Sequence, residues 1–218
     1  MSTPQTAAST PSILSFVKDL PNICSLAGLL CALVSIYFAV LGIFAAAMIG
    51  LIWAVFFDWS DGIIARRLQG RNEQQREFGG QLDSLIDIVS FGICPAMVLL
   101  SYGDFSPWFL PGAFLLVAAG VLRLSYFNVF GLVGKSTYMG LALDNNGIIL
   151  PFVFLFIGIF DQPLAAVALY IMLMAVAAMN VAPIKTPKLT GRWYYALMLY
   201  ALIITVIYGW QLFNISAG

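Results

Sequence analysis

The chain has 218 residues, 61% hydrophobic and only 9% charged, with 10 basic and 10 acidic side chains and no histidine. A soluble domain is about a quarter charged, so this composition excludes a soluble globular protein; no nucleic-acid partner is expected, and the net charge of zero says little beside the placement of the charges. Without histidine, any proton transfer falls to a carboxylate, Lys, Tyr or water.

In chain order, residues 1–11 are polar and rich in Pro, Ser and Thr. They read as a disordered tail without the basic n-region of a signal peptide. Residues 12–20, SILSFVKDL, have the amphipathic spacing of a short interfacial helix. Apolar runs of membrane-spanning length follow at about 22–40, 43–60, 83–102, 107–130, 147–161, 163–183 and 194–213. The fifth is short, and FDQP at 160–163 reads as a tight turn into the sixth. Cys24, Cys31 and Cys94 lie inside these runs with no CxxC pair, and read as small buried hydrophobes.

With the N-terminus in the cytoplasm, every basic residue falls inside: Lys18, Arg66, Arg67, Arg71, Arg76, Arg123, Lys135, Lys185, Lys188 and Arg192. The outer loops near 41, 103–106 and 161–162 contain no Lys or Arg. That distribution obeys the positive-inside rule and puts residues 58–87 at the cytoplasmic face.

The membrane does not explain DWSDGIIARR (58–67) and GGQLDSLID (79–87). Asp58 and Asp61 are three apart and Asp83 and Asp87 four apart, so each pair shares a helix face. Converging in one cleft, these carboxylates repel and lose hydration. Hard divalent cations with oxygen ligands, Mg²⁺ or Mn²⁺, answer both problems. Gly62 and Ala65 bare one flank of the second span, Gly79 and Gly80 the start of the third. A flat group such as a nucleotide base fits there, with Arg66 as a forked donor to phosphate. The plainer reading is helix packing through Gly62, with Asp83 complementing a helix N-terminus. Asp87 resists it, because an ionisable group a turn inside an apolar segment is a functional hypothesis by default.

DWSDGIIAR followed by GGQLDSLID resembles the signature DxxDGxxAR…GxxxDxxxD of the CDP-alcohol phosphotransferases (phosphatidyltransferases). FGGQLDSLIDIVSFGICPA (78–96) and LRLSYFN (122–128) are similar to its phosphatidylserine synthase branch. The resemblance spans roughly residues 20–190. It implies an all-α integral membrane protein with a six-helix core, here extended by a seventh C-terminal transmembrane helix. Residues 12–218 then form one catalytic domain, usually a homodimer, in a bacterial or archaeal cytoplasmic membrane. It further implies two divalent cations held by Asp58, Asp61, Asp83 and Asp87, and Asp87 as the base for the alcohol. Asp58, Gly62, Ala65, Arg66 and Gly79 would bind the CDP part of CDP-diacylglycerol, and CMP would leave. Residues 67–78 make a longer connection than the family's, which implies an extended helix end or a bulging cytoplasmic loop.

The acceptor alcohol is less marked. The serine-using branch usually has a basic residue where Tyr126 stands, and a GLPxP-like segment where this chain has GLALDNNG (140–147). Arg123 can meet a serine carboxylate. Tyr126, Tyr138 and Asp144 can instead meet choline, through aromatic faces and an anion. Asn128, Lys135, Asn145 and Asn146 complete the candidate acceptor residues. Plainer roles are an N-cap for Asp144 or Asn145 and snorkelling for Arg123. Serine is the expected acceptor, with choline or another small alcohol the alternative. A cation transporter would instead spread its ionisable groups through the membrane depth.

Overall fold

The computed structural model describes residues 11–133, 137–189 and 191–217. A short 3₁₀ helix, Ile13–Lys18, leads into α1 (Leu20–Val40) and α2 (Phe44–Arg67). The third apolar arm is continuous: α3 (Glu73–Asp87), a π-helical turn (Ile88–Ile93) and α4 (Cys94–Tyr102). Then come α5 (Leu110–Phe130), α6 (Asp144–Ile157), α7 (Gln162–Val181) and α8 (Arg192–Ala217). Among the described residues six helical segments are long and apolar enough to cross a membrane; α6, the fifth of the seven expected spans, is a separate, shorter apolar helix. The chain is an all-α integral membrane protein, with α8 as the additional C-terminal span.

Several boundaries follow from local chemistry. Proline stands in the first turn of α1, α4, α5 and α7, where its missing N–H costs nothing. α3 starts at Glu73, ten residues before the apolar run at 83. A capping box sets that start: Gln75 N–H donates to Asn72 Oδ1 (2.8 Å) and Asn72 N–H to Gln75 Oε1 (2.9 Å). The long connection is therefore an extended helix end, with residues 68–72 alone between α2 and α3. Asp83 sits about three turns into α3, too far for dipole complementarity at its N-terminus. The capping expected of Asp144 or Asn145 also fails. Leu143 is the N-cap of α6 and no side chain caps it.

The longest helix contact is α1 along α2, and α2 in turn meets α8 and α6 while α5 meets α7. α1 buries small residues, Gly28, Ala32, Ser35 and Ala39. This is how helices approach in lipid, where apolar burial alone gives no preference for protein over acyl chain. At Gly50 of α2 an added Cβ would lie 2.9 Å from the Cys31 carbonyl oxygen. Leu51, Ile52, Leu99, Leu116, Leu150, Leu169 and Tyr208 fill the centre. Large apolar side chains such as Trp108, Phe114, Val206 and Phe213 face outward, as a lipid-facing surface requires. α8 is pinned by polar tips: Tyr208 Oη donates to the Pro151 carbonyl (2.7 Å), Tyr200 Oη to that of Ile148 (2.9 Å), and Trp53 Nε1 to Thr205 Oγ1 (3.0 Å). All three cysteines are free; Cys94 is fully buried, Cys24 and Cys31 partly so.

A two-stranded antiparallel ledge, β1 (Thr137–Met139) with β2 (Lys185–Pro187), joins the α5–α6 and α7–α8 connections, with Tyr138 opposite Thr186. Gly140 ends it with φ +74°, and an added Cβ would lie 2.1 Å from the Asn180 carbonyl oxygen. Its N–H donates to Ile184 O (2.8 Å), and its carbonyl accepts from Thr186 Oγ1 (2.6 Å). Gly140→Ala must therefore strain the backbone and push α7 away, costing at least about 1–3 kcal/mol. We expect a thermal-unfolding midpoint in detergent several degrees lower; an unchanged midpoint would contradict this account.

Candidate active site

One end of the helix bundle encloses a cavity of about 220 Å³. One water needs only about 10–15 Å³ of such space, so there is room for a small alcohol beside a phosphate. α2 supplies Asp58, Trp59, Asp61, Gly62 and Arg66; α3 supplies Asp83, Ser84 and Asp87. α5 adds Arg123 and Phe127, the ledge Tyr138 and Lys188, and the start of α6 Asp144 and Asn145.

Asp58, Asp83 and Asp87 each place one carboxylate oxygen so that the three lie within 4.8 Å of one another. Asp87 Oδ1 is buried and has no hydrogen-bond partner. Three carboxylate oxygens that close, with a buried Asp87 oxygen that has no other partner, fit a hard divalent cation. Asp61 lines the same cavity, but its carboxylate accepts a short hydrogen bond from Ser25 Oγ on α1 and it is not part of that group. The π turn directly after Asp87 carries one extra residue in the helical turn, a feature frequent at functional sites. Asn146 Nδ2 of α6 donates to the Phe91 carbonyl within it (3.0 Å).

Basic side chains line the same cavity. Arg123 is buried, its Nε has no hydrogen-bond partner, and its guanidinium carbon lies 5.3 Å from the Phe127 ring centre and 5.0 Å from that of Tyr138. Lys188 Nζ lies 5.7 Å from the same Tyr138 ring. Burial, and then the Asp144 carboxylate, push the Tyr138 phenol up to about 12, so it stays a neutral hydroxyl near pH 7. Burial, and then the Arg66 guanidinium, hold the Lys188 ammonium below its ordinary value. Asp144 accepts from Trp59 Nε1 (2.7 Å), which aims its carboxylate at the cavity.

Other expected site residues stand elsewhere. Ala65 and Gly79 are not among the lining residues. Gly79 is where α3 meets Arg71 and Asn22, since an added Cβ would lie 2.7 Å from the Arg71 guanidinium and 3.1 Å from Asn22 Oδ1. That Arg71 is itself ion-paired with Asp19 at 2.7 Å. Tyr126 is exposed and packs at a tilt against Phe130, ring centres 4.6 Å apart. Asn128 meets the cavity only through Ser84, donating from Nδ2 to its Oγ (3.1 Å). Asn146 is buried behind the wall, exchanging hydrogen bonds with Asn180 (3.2 and 3.1 Å). Lys135 lies outside the described residues.

Lys188, Trp59, Ser84 and Ser25 were missed by the sequence reading. Lys188 counted only as a basic residue of an inner loop, Trp59 only as a letter between two aspartates. No local pattern marks them, because each reaches the site through a partner distant in sequence.

The family of CDP-alcohol phosphatidyltransferases matches residues 18–214. Over 180 residues the chain is 33% identical to an archaetidylserine synthase of Methanothermobacter thermautotrophicus, covering 82% of this chain and 73% of that one. A CDP-diacylglycerol–serine O-phosphatidyltransferase of Methanocaldococcus jannaschii is 26% identical over 155 residues, 71% of this chain and 70% of its own. The enzyme of the same name from Bacillus subtilis is 30% identical over 115 residues, 50% of this chain and 61% of its own.

Proposed function

Because the chain belongs to the CDP-alcohol phosphatidyltransferase family, we propose that it transfers the phosphatidyl group of CDP-diacylglycerol to L-serine and releases CMP. One observation carries the serine assignment: Arg123, buried with an unpartnered Nε, lines the same small cavity as the aspartates. A buried guanidinium needs an anion, and the serine carboxylate supplies one beside the reacting centre. The names of the similar proteins, which specify serine, agree with this reading.

The residues divide the work as follows. Asp58, Asp83 and Asp87, with Asp61 beside them, would hold two divalent cations, Mg²⁺ or Mn²⁺. When bound, these neutralise the diphosphate and stabilise the departing CMP. Arg66, with Gly62 leaving the wall open, takes a phosphate oxygen. Arg123 holds the acceptor carboxylate, and Asp144 with Asn145 faces its ammonium. Asp87 takes the hydroxyl proton as the serine oxygen bonds to the lipid-side phosphorus. The bond from that phosphorus to the CMP oxygen breaks, and CMP keeps the electron pair.

Of the residues named for choline, Tyr138 and Asp144 line the cavity, but the alternative is the weaker one. Tyr126 is not on the cavity, and the rings of Phe127 and Tyr138 already carry the cations of Arg123 and Lys188. The placement of all basic residues supports a cytoplasm-facing site, with residues 12–20 along the membrane surface. A homodimer rests on the family alone.

Purified protein with CDP-diacylglycerol, Mg²⁺ or Mn²⁺ and equal concentrations of labelled serine, choline and glycerol 3-phosphate tests the assignment. Serine is expected to release CMP at least about tenfold faster than choline, the worth of one charge-assisted hydrogen bond. Equal or faster use of choline would refute the acceptor, and no CMP with any alcohol would refute the reaction.

A further inference from the structure

Three cationic side chains line the cavity beside its five carboxylates. Among the described residues the ion pair within 4.0 Å is Arg71–Asp19, outside the cavity lining. Arg66, Arg123 and Lys188 therefore all line the cavity with no carboxylate engaged at that distance. Lys188 feels the Arg66 guanidinium, yet the two are held by different parts of the fold. Arg66 belongs to α2 and lies against Gly62, 3.4 Å from where its Cβ would be, on the side of the first aspartate pair. Arg123 and Lys188 come from α5 and the end of the ledge and share one aromatic residue, Tyr138. Lys188 follows β2 directly, and Tyr138 is paired through Thr186 two residues before it, so the ledge holds the ammonium and the ring together.

The Asp144 and Asp83 carboxylates also act on the Lys188 ammonium; what it shares with Arg123 is the Tyr138 ring, and two cations on one ring repel less once an anion lies within reach of both. A carboxylate has two oxygens and accepts from two donors, whereas an uncharged alcohol has nothing for a second cation. We propose that Lys188 is the second cation of the acceptor subsite: with Arg123 it holds the carboxylate of an amino-acid alcohol and so selects serine over an alcohol lacking that group. The inference rests on the serine reading above and assigns to it a residue that neither the signature nor the aspartate spacing identifies.

The test compares L-serine with serinol, in which a hydroxymethyl group replaces the carboxylate. CMP release is measured for wild type, Lys188→Met, Lys188→Gln and Lys188→Arg, with serinol assayed as acceptor or as competitor of serine. Loss of one charge-assisted contact lowers kcat/KM for serine about 10–100-fold in Lys188→Met and Lys188→Gln. Serinol stays within about twofold, the KM for CDP-diacylglycerol is unchanged, and Lys188→Arg recovers most of the serine activity. The unchanged donor KM reports that the variants are folded. Equal losses with serine and serinol, a rise in the donor KM alone, or no loss with serine would each overturn the assignment. Wild type releasing no CMP with serine would instead strike the serine reading itself, before any variant is compared.

Discussion

Asp87→Asn is expected to lower kcat by about 10²–10⁴-fold, the usual contribution of a positioned general base. The amide is nearly the same size as the carboxylate but cannot take a proton from the acceptor hydroxyl. Asp87 suits that task by position: it lies at the last turn of α3 before the π segment, with one oxygen grouped with Asp58 and Asp83 and Oδ1 buried without a partner. No histidine exists to take its place. Single-turnover CMP release from preloaded CDP-diacylglycerol separates chemistry from binding. Donor binding is expected to survive in part, because Arg66, Gly62 and Asp58 are untouched. A variant turning over within about tenfold of wild type would remove Asp87 from the base role.

Chelation is expected to have an effect of the same order. Dialysis against EDTA should abolish CMP release, and Mg²⁺ or Mn²⁺ should restore it, because three carboxylate oxygens within 4.8 Å cannot cradle a diphosphate without intervening positive charge. Spectroscopic titration with Mn²⁺ alone gives a readout independent of turnover. Asp83→Asn should weaken Mn²⁺ binding at least about tenfold, the cost of about 1.4 kcal/mol at one charged ligand. Ser25→Ala, which frees Asp61 from its hydrogen bond, should leave Mn²⁺ bound. Activity retained after exhaustive chelation, or Mn²⁺ affinity unchanged in Asp83→Asn, would contradict a metal role for this cluster.

Much of this site could be read directly from the chain. Helical repetition is local, so spacings of three and four put Asp58 with Asp61 and Asp83 with Asp87 on shared faces whatever the rest of the protein does. The spans were legible for a similar reason, since length and hydropathy suffice for a helix in lipid. The boundary errors have local causes. α3 begins ten residues early because the Asn72–Gln75 capping box outweighs the polarity of that stretch. Asp144 is not a cap because its carboxylate is drawn to Trp59.

Sequence alone determined the membrane architecture, the acidic motif and the chemistry it implies, because each depends on neighbours within a few helical turns. Tertiary structure alone decided which aspartates share a point in space and that Ser25 holds Asp61 aside. It also decided that Tyr126 and Asn146 stand off the wall while Lys188 joins it. Those outcomes depend on contacts between residues far apart in the chain: α1 against α2, α6 against the π turn, and a two-stranded ledge between two connections. The packing of helices in lipid turns on small residues and isolated hydrogen bonds rather than on any repeating pattern, so no periodicity in the chain records it.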